Sequence, residues 1–148
     1  MSTVTQPTAN SITLIREIQT HLQQLIRESR EAFKNNAREY GLTYYQASTM
    51  LLLIRSGGET TMSAVAEALH MSPSTVTSIF DALVARGLVV RSSPPEDRRS
   101  VVAVLTDDGR KLGSYLRDES TEILIRRFGK IPPESLAVFE NVLSEVLA

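Results

Sequence analysis

Five small hydroxyl residues fall within one short stretch: Ser72, Ser74, Thr75, Thr77 and Ser78. They surround Pro73 and are interleaved with Val76, Ile79, Phe80, Leu83 and Val84. That apolar set has the i, i+3, i+4, i+7, i+8 spacing of one helix face. Ser72 is expected as the N-cap, with Pro73 at the first helical position, where its missing N–H does no harm. Short hydroxyls opposite the apolar stripe can donate or accept, and they let a second surface come close. They suit contacts to base edges or phosphates, and the helix N-terminus adds a positive dipole end. Hydroxyl-rich first turns also serve as ordinary caps, so this feature alone does not specify a ligand.

A second set lies downstream. Asp97, Arg98 and Arg99 close the polar run from Ser92 to Arg99, which contains Pro94 and Pro95. Two β-prone runs flank it, Leu88–Arg91 and Ser100–Leu105. The spacing predicts a hairpin whose proline-containing tip is not a regular ladder. Alone, its basic tip reads as a solvated loop with a weak surface ion pair.

The remaining elements position these two sets. Apolar residues Ile15, Ile18, Leu22, Leu25 and Ile26 predict one long helix over Ile12–Tyr40, stopped at Gly41. Thr43 to Gln46 has the form of a capping box. The helix it opens carries Ala47, Met50, Leu51, Leu53 and Ile54, apolar on much of its circumference, and ends at Gly57-Gly58. A short helix is expected from Ser63, as N-cap, to Leu69, then a tight His70-Met71 connection. After the hairpin, Thr106 caps a helix to Phe128, with Asp107 and Asp108 favourable at its N-terminus. Pro132-Pro133 opens a last helix bearing Leu136, Phe139, Leu143 and Val146. The fold class is mainly α, an α+β winged helix: helix-turn-helix, β-hairpin wing, and N- and C-terminal dimerisation helices. The expected divisions are a loose tail at 1–10, a dimerisation region at 11–41 and 107–148, and a DNA-binding module at 42–106.

Composition excludes several functions. Cysteine is absent, which removes disulfides, thiolate nucleophiles and cysteine metal sites. Met50–Ile54 is the longest apolar run, too short to span a bilayer, and no apolar run follows a basic start. A cytoplasmic protein without membrane partners is expected. No nucleophile–base pair, phosphate loop or metal motif appears, so neither catalysis nor a cofactor is expected. The net charge of -1 runs against the basic balance common in nucleic-acid modules.

The combined pattern resembles the MarR family of bacterial and archaeal regulators. The matching stretches are Met62–Leu69, Met71–Thr77, Leu83, Arg86–Val89, Pro95–Ser100 and Leu105–Gly109. The most specific are the Asp-x-Arg wing, Asp97 to Arg99, and the Leu-Thr-x-x-Gly segment after it. Leu42–Gln46 also resembles the family's start of the second helix. The resemblance implies a homodimer with interlocked terminal helices, binding duplex DNA. It places Arg99 in the minor groove, where narrow A·T tracts concentrate negative potential, steadied by Asp97, with Arg98 toward phosphate or solvent. It also implies a small aromatic acid or phenol as effector, held between the dimerising helices and the winged module. Arg16, His21, Tyr44 and Tyr45 are the candidates there. The expected function is a ligand-responsive, sequence-specific regulator, a repressor in the main reading, acting on a pseudo-palindrome. The alternatives are a winged protein-interaction module and a metal-sensing regulator. The metal reading has only the isolated His21 and His70 to offer.

Overall fold

The computed structural model describes residues 8–93 and 101–148. α1 (Ala9–Glu39) starts where the Thr8 hydroxyl accepts from the Ser11 N–H at 3.2 Å. That cap brings the helix start three residues ahead of the expected Ile12 and draws Ala9 and Asn10 out of the expected tail. The far end closes with Gly41 at φ 66, while the N–H of Leu42 returns to the Ala37 carbonyl at 3.0 Å. This is the left-handed glycine stop that lets a helix end satisfy its last carbonyls.

α2 (Tyr44–Arg55) opens with both halves of the capping box formed, Gln46 N to Thr43 Oγ1 at 3.2 Å and Thr43 N to Gln46 Oε1 at 3.0 Å. It is central, burying Ala47, Thr49, Met50, Leu51 and Leu53. The hydroxyl of buried Thr49 is satisfied by donating to the Tyr45 carbonyl at 2.8 Å.

β1 (Glu59–Thr61) is absent from the sequence-based expectation. Three residues carry no usable alternation, and the strand exists because it pairs antiparallel with β3 (Val102–Leu105). It also moves a cap. α3 (Met62–Ala68) begins directly after the extended Thr61, whose hydroxyl accepts from Ala64 N at 3.1 Å. Thr61, not Ser63, is therefore the N-cap. α4 (Pro73–Ala85) follows a turn in which His70 has φ 51.

β2 (Val89–Ser92) pairs with β3 in the register Val89↔Leu105 to Ser92↔Val102, giving the sheet order β1-β3-β2. β2 starts one residue later than expected, because Leu88 is spent on the turn out of α4, its N–H returning to the Leu83 carbonyl. α5 (Asp107–Phe128) and α6 (Pro133–Leu147) complete the chain. No helix among the described residues is long and apolar enough to cross a membrane.

One core joins α1 to the winged module: Phe33 and Ala37 from α1, Met50 and Leu53 from α2, Val65, Val76, Phe80, Leu83, Val89, Leu105 and Leu116. Two glycines let α5 settle on it. At Gly109 a β-carbon would run into the Leu88 carbonyl; at Gly113 it would lie 2.5 Å from Cγ1 of Ile54. The terminal helices contrast with this core. Ile12, Ile15, Ile18 and Ile26 of α1 are exposed, as are Val138, Val142 and Val146 of α6, and α6 has no buried residue.

The two glycines differ in what would have to give way, and this sets an expected order. Gly109→Ala forces backbone apart and lowers stability by about 1–3 kcal/mol. Gly113→Ala costs less, because the Ile54 side chain can turn aside. Urea denaturation at fixed protein concentration checks this; equal losses at the two sites would contradict it.

Candidate DNA interface and effector cavity

α4 buries Val76, Ile79, Phe80 and Leu83 and leaves Ser72, Ser74, Thr75, Thr77 and Ser78 exposed. Ser72 is the hub of the first turn. Its Oγ accepts from Thr75 N at 3.2 Å and lies 2.9 Å from Ser74 Oγ and 2.8 Å from Thr75 Oγ1. Thr77 and Ser78 donate back to the Pro73 and Ser74 carbonyls at 3.0 and 3.2 Å. Their hydrogens are engaged within the helix, so the outward groups are lone pairs. The face is low, polar and free of bulky side chains.

The helix is held from three sides. At its C-cap the Arg86 guanidinium donates to the Tyr40 carbonyl at 2.6 Å and the Gly41 carbonyl at 2.7 Å, tying α4 to the end of α1. Thr106, the N-cap of α5, donates its hydroxyl to the Gly87 carbonyl at 2.6 Å. On the outer side Arg91 of β2 pairs with Asp81 of α4 at 2.6 Å and donates to the Thr77 carbonyl at 3.3 Å. Neither the Arg86 nor the Arg91 contact is anticipated by sequence reasoning. Each joins residues from different elements, and no local spacing signals it. The wing residues Asp97, Arg98 and Arg99 lie outside the described residues.

A cavity of about 670 Å³ opens between α1, α2, the end of α3 and α5. Leu25, Phe33, Leu51 and Ile123 give it apolar walls, and Arg30 and Arg55 bring guanidinium groups to it. Arg30 lies over the Tyr44 ring, 5.4 Å from its centroid, a cation–π arrangement. Ser29 Oγ, also in the lining, is buried without a hydrogen-bond partner among the described residues. Among the described residues neither Arg30 nor Arg55 is paired with a carboxylate. Apolar walls with unpaired cations suit an amphipathic anion.

Of the four residues expected here, only Tyr44 lines the cavity. Arg16 sits 14 positions before Arg30, about 21 Å away along the helix axis, and His21 also falls short of the lining. Tyr45, next to Tyr44, turns outward and is 53% exposed. The readable signal was Arg30 itself, a lone cation within the stripe that runs from Leu25 and Ile26 to Phe33.

The cavity and α4 are bridged by the end of α1. Tyr40 meets Tyr115 of α5 edge-on, with ring centroids 5.1 Å apart. The hydrogen bond to Tyr40 and the nearby charge of Glu119 push the Tyr115 phenol up to about 12. Asn36 donates to Glu119 at 3.1 Å. Among the described residues no cluster of three or more His, Asp or Glu side chains could hold a metal ion.

Residues 40–100, which run from the end of α1 through the wing, match the model of the MarR family. Over this stretch the chain is similar to the MarR family. A relative in Bacillus subtilis (strain 168), the uncharacterized HTH-type transcriptional regulator YfiV, is 36% identical over 101 residues. That alignment covers 66% of this chain and 63% of YfiV, less than two thirds of the relative's length. Solved structures extend the likeness in fold to the terminal helices. A mutant MarR from E. coli, complexed with operator DNA, superposes with a TM-score of 0.69 over 90% of this chain and 96% of that one, at 20% identity. CouR from Rhodococcus jostii RHA1, bound to p-coumaroyl-CoA, gives a TM-score of 0.71 over 87% of this chain and 90% of that one, at 25% identity. In this shared fold α2 to β3 form the winged helix-turn-helix, framed by α1, α5 and α6.

Proposed function

We propose that this chain is a cytoplasmic, DNA-binding transcription regulator of the MarR family that works as a homodimer and as a repressor. In this reading 42–106 is the DNA-binding module, and 11–41 with 107–148 form the dimerising region. The observation that carries it is the outer face of α4: a capped helix N-terminus with five exposed hydroxyl residues and no bulky group, fixed at its C-cap by Arg86. Such a helix fits the major groove, and a dimer of two such modules fits a two-fold site. Bound across a promoter, the dimer blocks access to it. Support for DNA as the ligand comes from the fold shared with the operator-bound MarR.

The dimer follows from the uncovered apolar residues of α1 and α6. Stripes at both chain ends that one module leaves in water call for a partner surface. Sedimentation at micromolar concentration is expected to give twice the mass of the 16.4 kDa chain. A stable, folded monomer there overturns this part of the reading.

The DNA reading predicts a selected operator with half-sites about 34–36 Å apart. Arg99→Ala, which removes the minor-groove arginine, weakens operator binding severely. Thr77→Ala alters base preference more than salt dependence. Gel-shift titration checks both, and unchanged operator affinity in Arg99→Ala refutes the wing assignment.

The cavity makes the regulator ligand-responsive, to a small aromatic or phenolic anion held by Arg30 and Arg55 beside Tyr44. The p-coumaroyl-CoA bound by CouR supports an effector of aromatic character. An effector shifts operator affinity only by its preference between the DNA-competent and incompetent states, typically about 1–3 kcal/mol, or 5- to 150-fold. Titration of the operator complex with millimolar salicylate is expected to weaken it, and Arg30→Ala to abolish that response. If no aromatic acid moves the affinity of the intact protein, the effector reading is withdrawn.

A further inference from the structure

Asp81 stands on the wrong side of α4 for a DNA-binding helix. Positions 74, 77, 78 and 81 follow helical spacing and share the exposed face, opposite Val76, Ile79, Phe80 and Leu83. A carboxylate there faces the strongest polyanion the molecule meets. Its only ion-pair partner among the described residues is Arg91. The pair is close, at 2.6 Å, yet both side chains reach solvent, Arg91 being 36% and Asp81 60% exposed. So placed, the pair contributes little to stability, and its place on the face that meets DNA needs another account.

Arg91 belongs to β2, beside the exposed start of the wing, and it reaches across to α4 to pair with Asp81 and the Thr77 carbonyl. A guanidinium at the seam between recognition helix and wing would otherwise be free to meet phosphate, the interaction that drives sequence-independent binding. We propose that Asp81 is a specificity-determining residue, holding Arg91 on the protein and so lowering the affinity for DNA of any sequence. The inference rests on the DNA-binding reading. It also fits the whole chain's net charge of -1: a chain with no excess of positive charge has little general attraction to phosphate and relies on base contacts for discrimination.

Releasing Arg91 adds one phosphate contact, which steepens the slope of log affinity against log salt by about 0.9. Asp81→Asn keeps the size and removes the charge. It is expected to raise affinity for a random-sequence duplex by roughly tenfold at 50 mM salt, a gain that shrinks about 3.5-fold by 200 mM. Preference for a selected operator over the random duplex falls in step. Asp81→Asn with Arg91→Gln loses the gain, because the released cation is gone. Glu67→Gln, the same charge change on exposed α3, moves the slope less. Arg91→Gln alone leaves the carboxylate bare and weakens binding to both duplexes.

The experiment is a salt titration of these full-length variants by fluorescence anisotropy on the two duplexes, with circular dichroism to confirm that each is folded. If Asp81→Asn binds random DNA no more tightly than the parent, or gains as much when Arg91 is absent, the proposal is overturned. A uniform loss on both duplexes in folded Asp81→Asn would make the pair a structural bracket and also overturns it. If the parent chain binds no duplex at any salt, the DNA-binding reading itself fails, a separate result visible before any variant is compared.

Discussion

The start of α5 must come within contact distance of the backbone between α4 and β2. The Leu88 carbonyl accepts the Thr106 N–H at 3.1 Å, while the Thr106 hydroxyl donates to the Gly87 carbonyl at 2.6 Å. Gly109 has no side chain because that carbonyl occupies the space a β-carbon would need. The Leu-Thr-x-x-Gly segment is therefore a joint: one hydroxyl caps a helix and binds a turn at once, and one glycine admits the approach. Arg86 makes the matching joint on the other side, at the end of α1. α4 is thus fixed to both long helices of the frame through its C-terminal end, and its N-terminal turn is left exposed.

Much of this was legible because it is local. Thr43, Ser72 and Thr106 are caps whose partners lie three residues away, and Pro73 and Gly41 announce a helix start and a helix stop. The winged order of elements follows from periodicity broken by such punctuation. What could not be read is what depends on distant partners. β1 is a strand only because β3 lies beside it, and that pairing transfers the cap of α3 from Ser63 to Thr61. The cavity draws its residues from four elements, so the polar residues along α1 alone point to Arg16 and His21 rather than to Arg30. The glycine of the joint was visible as a motif, but its reason lies in a carbonyl more than twenty positions earlier in the chain.

Charge shows the same division. A net count near zero hides an uneven distribution. Two arginines meet an apolar cavity without carboxylate partners among the described residues, while another is paired on the exposed face of α4 and a fourth is used on helix-end carbonyls. The Arg86 case is the least visible in composition: a full positive charge serves there as a backbone connector, satisfying carbonyls that a helix end leaves open. Counting basic residues therefore says little about which of them are free to meet an anion.

The attachment of α4 to the end of α1 also has a geometric consequence. With 31 residues, α1 is a rod about 46 Å long. A tilt of about 5° around its far end carries the attached α4 roughly 4 Å sideways, given that length. On a duplex, 4 Å exceeds one base-pair step of about 3.4 Å. The molecule is in effect a pointer: a small angular change where the rod meets its surroundings is magnified at the tip into a whole step of register, with no need for the winged module to deform.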